Sequence, residues 1–194
     1  MAALLSQNPN PDEMAQLWQI ARDAICGLFT DAETSPPQLD QYPARLTRPG
    51  ACFVTLEVNG QLQGCLGSLV AHTPLVLDVY QKARASACED QRFAPLTSSQ
   101  LDALSIEVSV LSEPELLEVR SEEALLAYLA EHRVGVILSD QMHRGVFLPQ
   151  VWESLPEPAD FVSHLKRKAG WRSDDWPPGI EVRVFTVTSI RRML

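Results

Sequence analysis

The sequence predicts an α+β fold, with a mixed, mainly antiparallel sheet and packed helices. Three observations carry this. Strand-like runs are joined by hairpin signals, above all Asn59-Gly60, rather than by regular crossovers. Stretches with one apolar helical face are interspersed among them irregularly. No glycine-rich loop leads from a strand into a helix, so the phosphate cradle of a doubly wound nucleotide-binding fold is missing. The 194 residues suit one large domain, or one domain with a small lobe, and 45% hydrophobic residues supply a real core.

Taken in order, Asn10-Pro11-Asp12-Glu13 is a helix start: a capping residue, a proline for the first helical position, and acids for the positive end of the dipole. Met14, Leu17, Trp18, Ala21, Ile25 and Leu28 then repeat at helical spacing. Residues 31–50 carry Pro36, Pro37, Pro43 and Pro49 and read as an extended linker. This gives a domain organisation of residues 1–49, a helix and Pro-rich linker packed on the main domain, and residues 50–194, the main domain. Cys52 to Val58 alternates as a strand, Asn59-Gly60 turns, and Gln61 to Leu66 returns. A two-residue turn pairs Val54 with Cys65 and points Cys65 at the core. A turn one residue longer flips it to the other face.

Pro74 opens a helix reaching to about Cys88, and residues 89–97 form a polar loop. A short helix from Ser98 to Leu104 precedes a strand from Ser105 to Leu111, with Ile106, Val108 and Val110 on one side and Ser105, Glu107 and Ser109 on the other. Ser121 to Ala130 reads as a helix, and Val134 to Leu138 and Val146 to Leu148 as strands. Pro158 to Ala169 reads as a helix stopped by Gly170, and Ile180 to Thr188 as a final strand.

Sixteen Lys and Arg against 25 Asp and Glu give a net charge of −9, which argues against a nucleic-acid binder. The one cationic cluster, Lys166-Arg167-Lys168 with Arg172 just beyond, reads as complementing a helix C-terminus in preference to a phosphate site. Cys26, Cys52, Cys65 and Cys88 include no C-x-x-C pair, and the four histidines show no metal-ligand spacing, so no metal site is expected. The absence of a secretory segment and of any apolar run of spanning length predicts a cytoplasmic protein with reduced thiols and no membrane contact.

Four segments in order resemble the AMMECR family, called in prokaryotes the AmmeMemoRadiSam system protein A. They are Phe53-Val54-Thr55-Leu56 leading to Leu62-Gln63-Gly64-Cys65-Leu66-Gly67; Asp90-Gln91-Arg92-Phe93 with Pro95-Leu96; Ile106-Glu107-Val108-Ser109-Val110-Leu111-Ser112; and Phe147-Leu148-Pro149-Gln150-Val151-Trp152 followed by Lys168-Ala169-Gly170. The resemblance implies a two-lobed domain on a mostly antiparallel sheet. It also implies a place in a pathway with a Memo-like protein and a radical-SAM protein, as possible partners. It leaves the cofactor, the substrate and the oligomeric state unspecified. Gln63 stands where the family usually has Arg, and Gln91 where it often has Pro; losing that Arg removes a fixed cation and a bidentate donor.

On these segments Cys65 and Glu107 are the catalytic candidates, as thiol and proton acceptor. Gly64, Gly67, Asp90, Arg92 and Ser109 are the substrate-binding candidates. Each has a structural alternative. Cys65 packs as a small buried residue, the glycines serve the hairpin, Asp90 and Arg92 pin their loop, and Glu107 and Ser109 line a solvated sheet face. Two functional readings follow: a small-molecule cleft around Cys65, or a non-catalytic adaptor surface for a Memo-like or radical-SAM partner.

Overall fold

Helix α1 (Pro11–Cys26) begins where Asn10 closes a reciprocal cap: its Oδ1 accepts from the Glu13 amide at 2.9 Å, and Glu13 Oε2 accepts from the Asn10 amide at 2.8 Å. The computed structural model describes residues 8–30 and 35–194, so residues 31–34 of the predicted linker lie outside the described residues. The chain divides into two compact units. The larger runs to Ser112 and includes Thr188–Leu194; the smaller is Glu113–Val187.

In the larger unit, strands β1 (Pro49–Val58), β2 (Gln61–Gly67), β3 (Thr73–Pro74), β4 (Leu104–Leu111) and β9 (Val187–Met193) form one sheet in the order β2-β1-β4-β9, with β3 beside β1. The pairs β1–β2, β1–β3 and β1–β4 are antiparallel. The alternation read from sequence sorts the two faces. Cys52, Val54, Leu56, Ile106, Val108 and Val110 are buried in a core with α1 and with α2 (Leu75–Cys88). Trp18 reaches from α1 to donate its indole N–H to the Ile106 carbonyl at 3.0 Å. The other face carries Phe53, Thr55, Glu57, Ser105, Glu107 and Ser109, opposed in register.

The smaller unit sets α3 (Glu122–Glu131) and α4 (Pro158–Ala169) on a sheet of order β5-β8-β6-β7, made of β5 (Glu115–Leu116), β6 (Gly135–Ser139), β7 (Arg144–Phe147) and β8 (Glu181–Phe185). Trp152 stacks on Phe161 with ring centroids 3.8 Å apart, which makes both core anchors. Gly170 ends α4 with φ 97°, the left-handed stop the sequence predicts. Lys166 lies in the last turn of α4 with Arg167 and Lys168, but its side chain is fully buried and donates to Glu122 Oε2 at 2.6 Å.

These antiparallel sheets with packed helices are the α+β class the sequence predicts. Two details differ. The run expected as one final strand is broken at Thr186, and its halves belong to different sheets: β8 to the smaller unit, and β9 beside β4. The short helix after the polar loop is a 3-10 turn, Ser98–Ala103. No described helix is long and apolar enough to cross a membrane.

Candidate functional site

The Asn59-Gly60 turn forms as its sequence demands, both residues taking positive φ (53° and 75°), and Val58 pairs with Gln61. Two residues on, the register shifts: Glu57 pairs with Leu62 but Leu56 with Gly64, leaving Gln63 as a bulge. Every side chain beyond it changes face. Cys65 therefore pairs with Thr55 rather than Val54 and stands on the polar face, half-buried, not in the core. The bulged Gln63 uses its amide outward, donating to the Ala94 carbonyl at 2.7 Å and accepting from Gln100 at 3.2 Å.

The two glycines of the motif are fixed by neighbours on opposite faces. A Cβ on Gly64 would lie 2.0 Å from the Ser86 carbonyl oxygen of α2. That close approach lets the Ser86 hydroxyl accept from Leu66 N at 2.9 Å and donate to the Val54 carbonyl at 2.8 Å. A Cβ on Gly67 would lie 2.3 Å from the Phe53 ring.

Strand β2 is a sheet edge, and the 89–97 loop folds back on it at Cys65. Asp90 Oδ2 accepts from the Cys65 amide at 2.9 Å, and Arg92 Nη2 donates to the Cys65 carbonyl at 3.2 Å. Arg92 also grips Asp90 through Nε (2.9 Å) and Nη2 (2.6 Å). The Asp90 side chain is only 4% exposed, whereas that of Arg92 is 59% exposed. The Arg92 hydrogen bond is the largest influence on the Asp90 carboxyl; with the Cys65 amide it outweighs desolvation and holds that carboxyl far below the usual carboxylate range. The pair thus satisfies both backbone groups of the cysteine, as a neighbouring strand would.

Across the sheet Cys65, Thr55 and Glu107 form one row, and Gly67, Phe53 and Ser109 the next. Thr55 Oγ1 donates to Cys65 Sγ at 3.2 Å. Glu107 stands two strands from Cys65, about 10 Å between Cα atoms at ordinary strand spacing. Its carboxylate is engaged: Ser109 donates to Oε1 at 3.1 Å, and Arg191 Nε to Oε2 at 2.7 Å. Arg191 also bridges to Glu57 at 2.5 Å, and the Ser109 and Ser189 hydroxyls are 2.8 Å apart. Gly64, Cys65, Gly67, Asp90 and Arg92 are therefore one cluster, with Glu107 and Ser109 in a second network joined to it through Thr55.

Thr55, Gln63, Ser86 and Arg191 were not among the candidates. Thr55 lies inside a motif segment, which was the only signal for it, since its register with Cys65 depends on the bulge; the partners of Arg191 are distant in sequence and left none. All four cysteines are free thiols. Among the described residues no group of three or more His, Cys, Asp or Glu is placed to hold a metal ion. The chemistry on offer is a thiol hydrogen-bonded by a hydroxyl, beside an exposed guanidinium.

A family model described as AMMECR1 matches residues 18–190, which include every site residue named above except Arg191. A protein of Thermofilum pendens is 34% identical over 183 residues, covering 87% of this chain and 84% of its own. One from Methanocaldococcus jannaschii is 32% identical over 155 residues, covering 76% and 75%. The crystal structure of an uncharacterized protein from Pyrococcus horikoshii superposes with a TM-score of 0.77 at 31% identity, covering 94% of this chain and 93% of that one.

Proposed function

The chain belongs to the AMMECR1 family, and on that premise we propose that it is a component of the AmmeMemoRadiSam pathway that binds a small molecule around Cys65. Cys65 supplies the reacting or gripping thiol and Thr55 orients it. Arg92 offers the exposed cation, Gly64 and Gly67 shape the strand, and Asp90 holds Arg92 in place. Glu107 and Ser109 form the far wall. The observation that carries this reading is the bulge at Gln63, which takes the motif cysteine out of the core and sets it against a hydroxyl on the polar face. A cysteine needed only for packing has no use for that inversion.

The test is alkylation by iodoacetamide, followed residue by residue by mass spectrometry across pH 6 to 9. Exposed Cys88 serves as an internal reference. Reaction at Cys65 faster than at Cys88 despite its lower exposure supports the reading. A Cys65 rate below that of Cys88 at every pH removes the thiol from the function.

A second reading, a non-catalytic adaptor, has its own observation. Leu62, Leu69 and Val70, on β2 and just after it, are each more than 40% exposed. On this reading the edge bearing the cysteine motif docks the Memo-like or radical-SAM partner. Leu62→Ser combined with Val70→Ser then abolishes binding to the purified partner, while Cys65→Ser leaves it intact.

A further inference from the structure

The smaller unit carries a concavity of about 410 Å³ on the sheet face that looks away from α3 and α4. Val136, Leu138, Val182 and Val184 point into the core, so the alternate residues Ile137, Ser139, Glu181 and Arg183 line this other face. Arg144 joins them from β7, in register with Ser139, and Glu181 flanks Ser139 on the opposite side. Ile137, 4% exposed, makes an apolar floor.

The charges here are unevenly satisfied. Arg183 Nε donates to Glu181 at 2.7 Å, which takes up that carboxylate, and Arg183 Nη1 leans on the Pro114 carbonyl at 3.5 Å. Glu113 on the rim has a partner of its own. The Arg144 guanidinium and the Ser139 hydroxyl, by contrast, have no hydrogen-bond or ion-pair partner among the described residues. The exposed Arg144 guanidinium thus stands beside a free hydroxyl, over an apolar floor, on a chain of net charge −9. Guanidinium and hydroxyl donors together match an oxyanion, and the volume suits a small organic body attached to it.

The geometry points to a second binding site, distinct in residues from the cysteine cluster, for a small organic anion whose carboxylate or phosphate is held by Arg144 and Ser139. Arg183, fixed by Glu181, closes the far side of the site and keeps Nη2 for the same ligand.

The test is ¹⁵N NMR titration of the full chain with inorganic phosphate and, separately, with acetate, against potassium chloride at matched ionic strength. Saturable shifts at the amides of Ser139, Arg144 and Arg183 with either anion, and none with chloride, are expected. Phosphate alone identifies a phosphate ester as the ligand class, and acetate alone a carboxylate. Arg144→Ala weakens binding at least tenfold, Arg144→Lys retains an intermediate affinity, and Ser139→Ala loses severalfold at unchanged Tm. Cys65→Ser binds as wild type, so the result is independent of the cysteine reading. No saturable shift with either anion, or full affinity in Arg144→Ala, overturns the site.

Discussion

Thr55 donates its hydroxyl to the Cys65 sulfur at 3.2 Å, a contact that exists only because Gln63 is bulged. Without the bulge Thr55 would lie opposite Gly64's position in register, and the thiol would face Val54 in the core. The contact therefore tests whether the inversion serves the thiol. Thr55→Val keeps the shape and removes the donor. A single neutral hydrogen bond on a half-buried face contributes about 1 kcal/mol, so chemical denaturation changes little. The iodoacetamide rate at Cys65 changes severalfold while that at Cys88 does not. An unchanged Cys65 rate shows that the hydroxyl does nothing for the sulfur.

Glycine at position 64 is a packing requirement. Gly64→Ala drives a methyl to 2.0 Å from the Ser86 carbonyl oxygen, and the atom it strikes is backbone and cannot swing aside. The expected loss is about 3 kcal/mol, with α2 pushed off the sheet. Gly60→Ala meets nothing within 4 Å but keeps φ at 75°, and costs about 1 kcal/mol. Urea midpoints of the two variants separate steric from conformational cost. Equal losses contradict the close approach of α2.

Asp90 makes stability depend on pH. Its carboxyl is held below the ordinary value of about 3.9, so the stabilisation is fully present above that value and is lost as pH falls through the folded-state value. Asp140 adds to the same window. The Met142 amide first, then the His143 amide and ring, hold it near 2. Between about pH 4 and pH 2 the wild type loses stability steeply. Asp90→Asn is less stable at neutral pH and falls less steeply over that interval. Parallel urea-midpoint curves for the two proteins contradict the Asp90–Arg92–Cys65 clasp.

Lys166 and Glu122 are unequal partners. The ammonium is fully buried, whereas the carboxylate side chain is 28% exposed. Glu122→Gln strands a buried charge and costs on the order of 3 kcal/mol. Adding Lys166→Met to it recovers most of the loss, since a neutral chain of similar length fills the space. A double variant no more stable than the single one shows that packing around Lys166, not its charge, is what matters.

The frame of the site was legible and its orientation was not. Asn59-Gly60 announced the hairpin because few other dipeptides tolerate two positive φ values. The bulge two residues later left no pattern. Gly64 has no side chain to declare a face, and Gln63 and Leu62 suit either, so register is set by the approach of Ser86 rather than by alternation. Asp90 and Arg92 were readable as a charge-assisted pair, but what they hold, the Cys65 peptide, lies more than twenty residues away. The final run concealed its change of sheet for a related reason. Strand-forming residues run through Thr186 with no turn residue between them, so the sequence does not show that the partner strand has switched.

That switch also orders events during synthesis. Everything in the larger unit except β9 leaves the ribosome before residues 113–187 do, so a nascent chain carries β4 with its outer edge bare while the smaller unit is being made. The Glu107–Arg191 and Glu57–Arg191 bridges can close only afterwards. Their formation marks the moment at which an aggregation-prone intermediate becomes a finished sheet.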